Sequence, residues 1–177
     1  MSTLENRCLD TFPAWLRTLA EDASKLSALL ANPESPAAAG AAAALNYLFK
    51  SLDLIPDGLE DLGFVDDAFV LRVSAAAVDP SARSSDASGT LERLASDAAL
   101  IEEFLEDTYP KLKSYVDGLG AARARGRGVA EILADASVRE EFVREVNQWA
   151  AGYQAPAFHR DPKNLVKLRA FLAAKLG

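Results

Sequence analysis

The sequence predicts an all-α protein that folds as a single-domain helical bundle of about six helices, the long ones kinked, over residues 1–177. Apolar residues recur at alternating steps of three and four through most of the chain, which is the spacing of amphipathic helices. No stretch of the sequence keeps the period-two alternation of a strand. Apolar residues make up 50% of the chain and aromatic residues only 8%, so Leu, Val and Ala must supply most of the core.

The first helix is predicted from an apolar stripe in the first thirty residues. The stripe consists of Leu4, Cys8, Phe12, Trp15, Leu19, Ala23, Leu26 and Leu30. Pro13 interrupts the helix pattern. Because proline lacks an N–H and crowds the carbonyl one turn back, we expect a kink or a new helix start near Asp10 or Thr11. Cys8 is expected to be a buried structural thiol, and residues 32–36 end the helix.

Two further helices, over residues 37–52 and 64–78, are predicted on either side of an acidic turn. Residues 79–89, DPSARSSDASG, then form a loop, because serine, proline and glycine favour turns. The longest helix is predicted over residues 91–119. The apolar spacing keeps the same phase on both sides of Pro110, which favours one kinked helix.

Residues 118–128, GLGAARARGRG, are interpreted as a solvated basic linker. They lack the GxxxxGK[ST] spacing of a phosphate-binding loop. Ser137 and Glu140 have the spacing of a capping box at a helix start. Asp161 followed by Pro162 predicts the cap and first turn of a final helix.

Composition and charge argue against several functional classes. A net charge of −7 and a pI near 4.8 argue against a nucleic-acid partner, because binding to phosphates needs a positive surface. One cysteine gives neither a disulfide framework nor a cysteine-based zinc site. The first residues lack a secretory signal, so we expect a cytoplasmic location. The weakly polar run at residues 37–49 is shorter than the ~20 residues that span a bilayer, and the negative charge disfavours membrane-surface association.

The acidic turn is the most distinctive feature of the sequence, which reads NYLFKSLDLIPDGLEDLGFVDDAFVL from residue 46 to residue 71. Its two halves, D-L-I-P-D and G-F-V-D-D, resemble the signature of the YkvA-like family, a bacterial family of small helical domains. The resemblance covers residues 44–73. The positions that fill the pattern are Tyr47, Asp53, Ile55, Pro56, Asp57, Gly63, Phe64, Asp66 and Asp67. Ser51 and Leu52 replace a proline that often precedes the first aspartate, and residues 59–62 replace an apolar spacer. The family has no established reaction, so the resemblance implies a helical domain without naming an activity.

The aspartates of this turn support two interpretations. In the first, the turn is a rigid helical hairpin: Asp53 accepts backbone N–H groups, and Asp66 and Asp67 lie in a first helical turn, where the helix dipole favours negative charge. In the second, Asp53, Asp57, Asp66 and Asp67 are the ligands of a divalent cation, Mg²⁺ or Ca²⁺. Asp61 is a further oxygen donor in the same turn. The spacing is not that of an EF-hand, and adjacent residues project ~100° apart on a helix, so we expect Asp66 and Asp67 not to face one ion easily.

Two functions follow from these interpretations. The preferred one is a non-enzymatic interaction or scaffold module that binds a protein partner or a second copy of the chain, with no cofactor. It predicts an exposed apolar patch larger than a few hundred Å². The alternative is a divalent-metal-binding domain or a metal-dependent enzyme, which predicts a polar site with at least three of the aspartates. No catalytic residue is assigned, because His159 is expected to be a lone surface histidine and no serine lies in a nucleophile-elbow pattern.

Overall fold

The computed structural model describes residues 1–50 and 53–177, which form an all-α bundle. The helices are α1 (Thr3–Ala28), α2 (Pro36–Tyr47), α3 (Val65–Ala77), α4 (Pro80–Ser84), α5 (Thr90–Leu105), α6 (Tyr109–Asp117), α7 (Val129–Ala134), α8 (Ala136–Gly152) and α9 (Pro162–Leu176). Short 3₁₀ turns follow α1, α5 and α6. The described helices outnumber the six predicted for two reasons. The short helices α4 and α7 were not predicted, since α4 lies in the predicted loop at residues 79–89, and one predicted helix is divided into two.

Helix α1 runs without a break through Pro13. The predicted new start near Asp10 or Thr11 is therefore wrong. Both sides of the proline are held in the core, since Phe12 and Leu16 are each 1% exposed, and this packing offsets the missing backbone hydrogen bond. Cys8 is fully buried, as the apolar stripe predicts.

Helix α3 lies at the centre of the bundle. Every residue from Val65 to Ala75 is buried, and α3 packs most extensively against α5 and α2, with α1 also in contact. Phe69 of α3 meets Phe12 and Phe104 at ring-centroid distances of 5.1 and 6.4 Å. The bounds of α3 confirm the helix predicted over residues 64–78. The preceding helix, predicted to reach Leu52, ends earlier, at Tyr47, and residues 51 and 52 themselves lie outside the described residues.

A buried arginine joins α3 to its neighbours. The Arg72 side chain is fully buried, and its guanidinium lies 4.1 Å from the centre of the Trp15 ring. Its Nε donates to Asp97 at 3.0 Å and its Nη1 donates to the Ala68 carbonyl at 3.1 Å. Asp22 lies 3.8 Å from Nη2. Burial lowers the pKa of Arg72 to about 10, although Asp97 and Asp22 oppose this change.

The single kinked helix predicted over residues 91–119 is wrong, because the structure has two helices. The chain breaks at Glu106, which has a φ of +50°, and Pro110 lies in the first turn of α6. In a continuous helix the Pro110 nitrogen would be the partner of the Glu106 carbonyl, and proline has no N–H to donate.

The basic linker predicted over residues 118–128 is instead partly a tight hairpin. Strands β1 (Arg123–Ala124) and β2 (Arg127–Gly128) pair antiparallel. The two residues between them, Arg125 and Gly126, both have positive φ, which suits the right-handed twist of a two-residue hairpin. Arg127 is only 8% exposed, and its guanidinium lies 4.9 Å from the centre of the Phe142 ring.

Helix caps were predicted at the starts of the last two helices, at Ser137 and Asp161. The Asp161 side chain accepts from the Lys163 N–H, so the predicted start of α9 is confirmed. The capping box at Ser137 is wrong, because α8 begins two residues earlier. Asp135 accepts from the N–H groups of Ser137 and Val138 at 2.9 and 3.2 Å. Within residues 1–50 and 53–177, no helix combines the length and apolar character that a membrane span requires.

Candidate metal centre

The chain between α2 and α3 folds back on itself through a close backbone approach. The Gly63 N–H donates to the Leu59 carbonyl at 2.9 Å, and the Leu59 N–H donates to the Pro56 carbonyl at 3.0 Å. A Cβ at Gly63 would lie 2.1 Å from the Asp57 carbonyl oxygen. Only glycine therefore allows this approach, which brings Asp57 back towards the start of α3.

Phe64 turns the chain into α3. Its backbone is left-handed, with a φ of 64°, and its ring packs against Trp149 and Tyr153 at centroid distances of 6.2 and 5.3 Å. Asp66 and Asp67 then lie in the first turn of α3, where the helix dipole favours negative charge. They are 1% and 2% exposed.

Three aspartates converge at this point. One carboxylate oxygen from each of Asp57, Asp66 and Asp67 lies within 4.8 Å of the others. Asp66 and Asp67 therefore bring their carboxylates closer together than the angle between adjacent helix positions led us to expect. Their carboxylates extend beyond the helix backbone on two rotatable bonds, and this reach overcomes the angle between adjacent positions.

One oxygen of Asp66 is fully engaged by the turn. Its Oδ2 accepts from the Tyr47 hydroxyl at 2.5 Å and from the Ile55 N–H at 3.2 Å. The Tyr47 hydroxyl in turn accepts from the Leu54 N–H at 2.8 Å. These bonds join α2, the turn and α3. In this part of the turn the N–H groups of Leu54 and Ile55 thus bind Tyr47 and Asp66 and not Asp53.

Several buried carboxylate oxygens have no hydrogen-bond partner within the described part of the chain. They are Asp53 Oδ1, Asp66 Oδ1 and Asp67 Oδ2. A buried polar atom left unpaired destabilises a fold by about 1–3 kcal/mol, and more when it is charged. Nearly all buried polar atoms in proteins have a partner, so these oxygens require either a proton or a ligand.

Burial raises the pKa of four carboxyl groups in the turn, those of Asp53, Asp57, Asp66 and Asp67. Burial, followed by the charges of Asp57 and Asp66, raises the pKa of Asp53 to about 7. Burial also raises the pKa of Asp57, and it raises that of Asp66 to about 6 although Tyr47 and Ile55 donate to the carboxylate. The pKa of Asp67 lies well above its ordinary value because of burial and the neighbouring aspartates. The site favours either protons or a cation.

Asp61 and Asp53, the other aspartates of the acidic turn, do not belong to the converging set. Asp61 contacts His159: its Oδ1 accepts from the His159 N–H at 3.0 Å and lies 2.5 Å from the ring Nδ1. The backbone hydrogen bond from His159 lowers the pKa of Asp61 despite partial burial. His159 is exposed, as expected, but it is not isolated. Asp53 also has a buried oxygen without a partner among the described residues, but it does not belong to the set of three converging aspartates.

Tyr47 and Tyr153 had no assigned role in the sequence. Tyr47 is 2% exposed and holds Asp66. The Tyr153 hydroxyl donates to the Leu16 carbonyl at 2.8 Å, and burial together with the charges of Asp67 and Asp57 raises its pKa. The place of Tyr47 in the family signature was the one signal that could have identified it. No sequence signal connects Tyr153 to the turn.

Residues 37–72 match a family model. The model is described as a protein of unknown function (DUF1232). The matched segment includes α2 except Pro36, the acidic turn and α3 as far as Arg72, and therefore all three converging aspartates. No curated protein and no solved structure matches the chain.

Proposed function

We propose that the protein is a divalent-cation-binding domain whose ligands are Asp57, Asp66 and Asp67. One observation carries this proposal: three carboxylate oxygens lie within 4.8 Å of one another, and two of the carboxylates are almost completely buried, each with an unpaired oxygen. An acidic surface alone would not have this geometry, because surface carboxylates turn towards water.

A divalent cation would resolve the electrostatics of this arrangement. Carboxylates held close together repel unless a proton or a cation lies between them. Hard cations such as Mg²⁺, Mn²⁺ and Ca²⁺ prefer oxygen ligands of this kind. Asp57 is exposed as a residue, although its carboxyl group is partly enclosed, and this leaves one side of the site open for the ion and its water ligands to enter.

The interaction module that the sequence favours has less support. It requires a large exposed apolar patch. Among the described residues, the large apolar side chains that are exposed are Met1 at 65% and Val166 at 64%, and single exposed residues are normal on a monomer. The geometry of the aspartates therefore favours cation binding over a protein-binding surface.

Thermal unfolding of the full chain tests the proposal. The protein is treated with a chelator, dialysed and melted with added Mg²⁺, Mn²⁺ or Ca²⁺. An ion at a hundred times its dissociation constant should stabilise the fold by about 2.7 kcal/mol. For a chain of this length, this raises the midpoint by about 5–10 °C.

Two variants make the test specific. Asp57→Asn removes one ligand and leaves the buried pair in place, so the rise in midpoint should be lost or greatly reduced. Glu60→Gln removes one exposed charge from the same turn and should keep the full rise. The proposal fails if no ion raises the midpoint of the wild type, or if Asp57→Asn and Glu60→Gln respond equally.

A further inference from the structure

We propose that this site selects a small hexacoordinate cation of the Mg²⁺ and Mn²⁺ class over Ca²⁺, and that Tyr47 determines the selection. The inference rests on the proposed cation-binding function and adds the identity of the ion. It follows from which oxygens of the three aspartates are free to bind.

Asp66 can offer only one oxygen to an ion. Its Oδ2 already accepts two hydrogen bonds, from the Tyr47 hydroxyl at 2.5 Å and the Ile55 N–H at 3.2 Å. Its Oδ1 has no partner among the described residues. Asp66 is therefore restricted to monodentate binding through Oδ1.

Monodentate binding distinguishes between the candidate ions. Ca²⁺ takes 6–8 oxygen ligands at ~2.3–2.6 Å and commonly uses a bidentate carboxylate to reach that number. Mg²⁺ requires octahedral geometry at ~2.0–2.1 Å and keeps several of its water molecules. The site has three carboxylates, one of them limited to a single oxygen, and an open side at the exposed Asp57. These features fit the coordination of Mg²⁺.

Tyr47 keeps Asp66 in this state because its own position is fixed. The side chain is 2% exposed, and its ring packs edge-on against Tyr115 at a centroid distance of 6.2 Å. The hydroxyl oxygen accepts from the Leu54 N–H at 2.8 Å, which leaves its proton directed at Asp66. Tyr47 is thus a positioning residue, which orients a ligand without touching the ion. Such partners change metal affinity by about 10–100-fold when they are removed.

Calorimetric titration of the chelator-treated full chain with MgCl₂, MnCl₂ and CaCl₂ tests the inference. The wild type should bind Mg²⁺ and Mn²⁺ more tightly than Ca²⁺. Tyr47→Phe removes the hydroxyl and leaves Asp66 Oδ2 with one hydrogen bond, from the Ile55 N–H, so a lone pair of Oδ2 becomes free for bidentate binding. The ratio of Mg²⁺ affinity to Ca²⁺ affinity should then fall by about tenfold or more.

Tyr115→Phe is the matched control. It removes a neighbouring hydroxyl that accepts from Lys50 at 2.7 Å and should leave the ratio unchanged. A merely structural role for Tyr47 would weaken all ions alike, so an unchanged ratio in Tyr47→Phe overturns the inference. Equal or tighter binding of Ca²⁺ by the wild type also overturns it, even if Tyr47→Phe does not fold. If the wild type binds none of the ions, the proposed function itself fails.

Discussion

Replacement of Asp53 by asparagine should stabilise the metal-free protein at pH 8 and have a much smaller effect in acid. The side chain is partly buried beside the three converging aspartates. Burial, with the charges of Asp57 and Asp66, raises its pKa from 3.8 to about 7. The folded chain therefore holds this proton more tightly than the unfolded chain does.

The pKa values give the size and sign of the effect. Because the folded-state pKa is the higher one, the free energy of unfolding falls as the pH rises from about 4 to 7 and then stays constant. Each pKa unit corresponds to about 1.4 kcal/mol, but Asp53 is only partly buried, and solvent screening reduces this value to about half. Ionised Asp53 should therefore destabilise the fold by about 2 kcal/mol at pH 8. Asparagine stays neutral. Its stabilising effect should be about 2 kcal/mol at pH 8 and about 0.5 kcal/mol at pH 4.5.

Urea denaturation in the presence of a chelator, followed by circular dichroism at both pH values, measures this difference. Asp61→Asn is the opposing control, because the hydrogen bond from the His159 N–H lowers the pKa of Asp61. That variant should be destabilised at pH 8. If Asp53→Asn is destabilised by similar amounts at pH 4.5 and pH 8, the electrostatic account of this turn is refuted.

Three further predictions concern the turn and the core. Gly63→Ala should destabilise the fold by several kcal/mol in urea denaturation and abolish cation binding, because the added Cβ would lie 2.1 Å from the Asp57 carbonyl oxygen. Gly58→Ala is the control and should be tolerated, because a Cβ at Gly58 would have no neighbour within 4 Å. Arg72→Met should lower the free energy of unfolding by about 1.5–3 kcal/mol, since it removes the hydrogen-bonded charge that Asp97 faces while Asp22 keeps its ion pair with Arg93, and an unchanged free energy of unfolding would contradict this reading. Burial raises the pKa of Cys8 to about 11, so a thiol reagent at pH 8 should modify it in urea far faster than in the native protein.

Local signals explain which parts of the fold the sequence predicted. The apolar stripe of α1 and the cap at Asp161 depend on residues close together in the chain, and both are confirmed. Arg127 is different. Its alternation with small residues is typical of a solvated linker, yet its aromatic partners lie far away in the chain, Phe49 just after α2 and Phe142 in α8, and no local pattern connects them.

The candidate site shows the same division between local and distant contacts. Asp57, Asp66 and Asp67 could all be named from residue type and spacing. Their convergence could not, because it depends on the backbone approach at Gly63 and on side-chain directions within α3. The different role of Asp61 was also hidden, since its partner His159 is 98 residues away in the chain.

The enclosure of α3 has a consequence for how an ion would act on the rest of the molecule. Because residues Val65–Ala75 are buried without interruption, their amide hydrogens can exchange with solvent only when the surrounding helices separate. An ion held at the first turn of α3 would therefore slow hydrogen exchange along the whole helix and in the faces of α1, α2 and α5 that cover it. The bundle would respond to the ion as one cooperative unit.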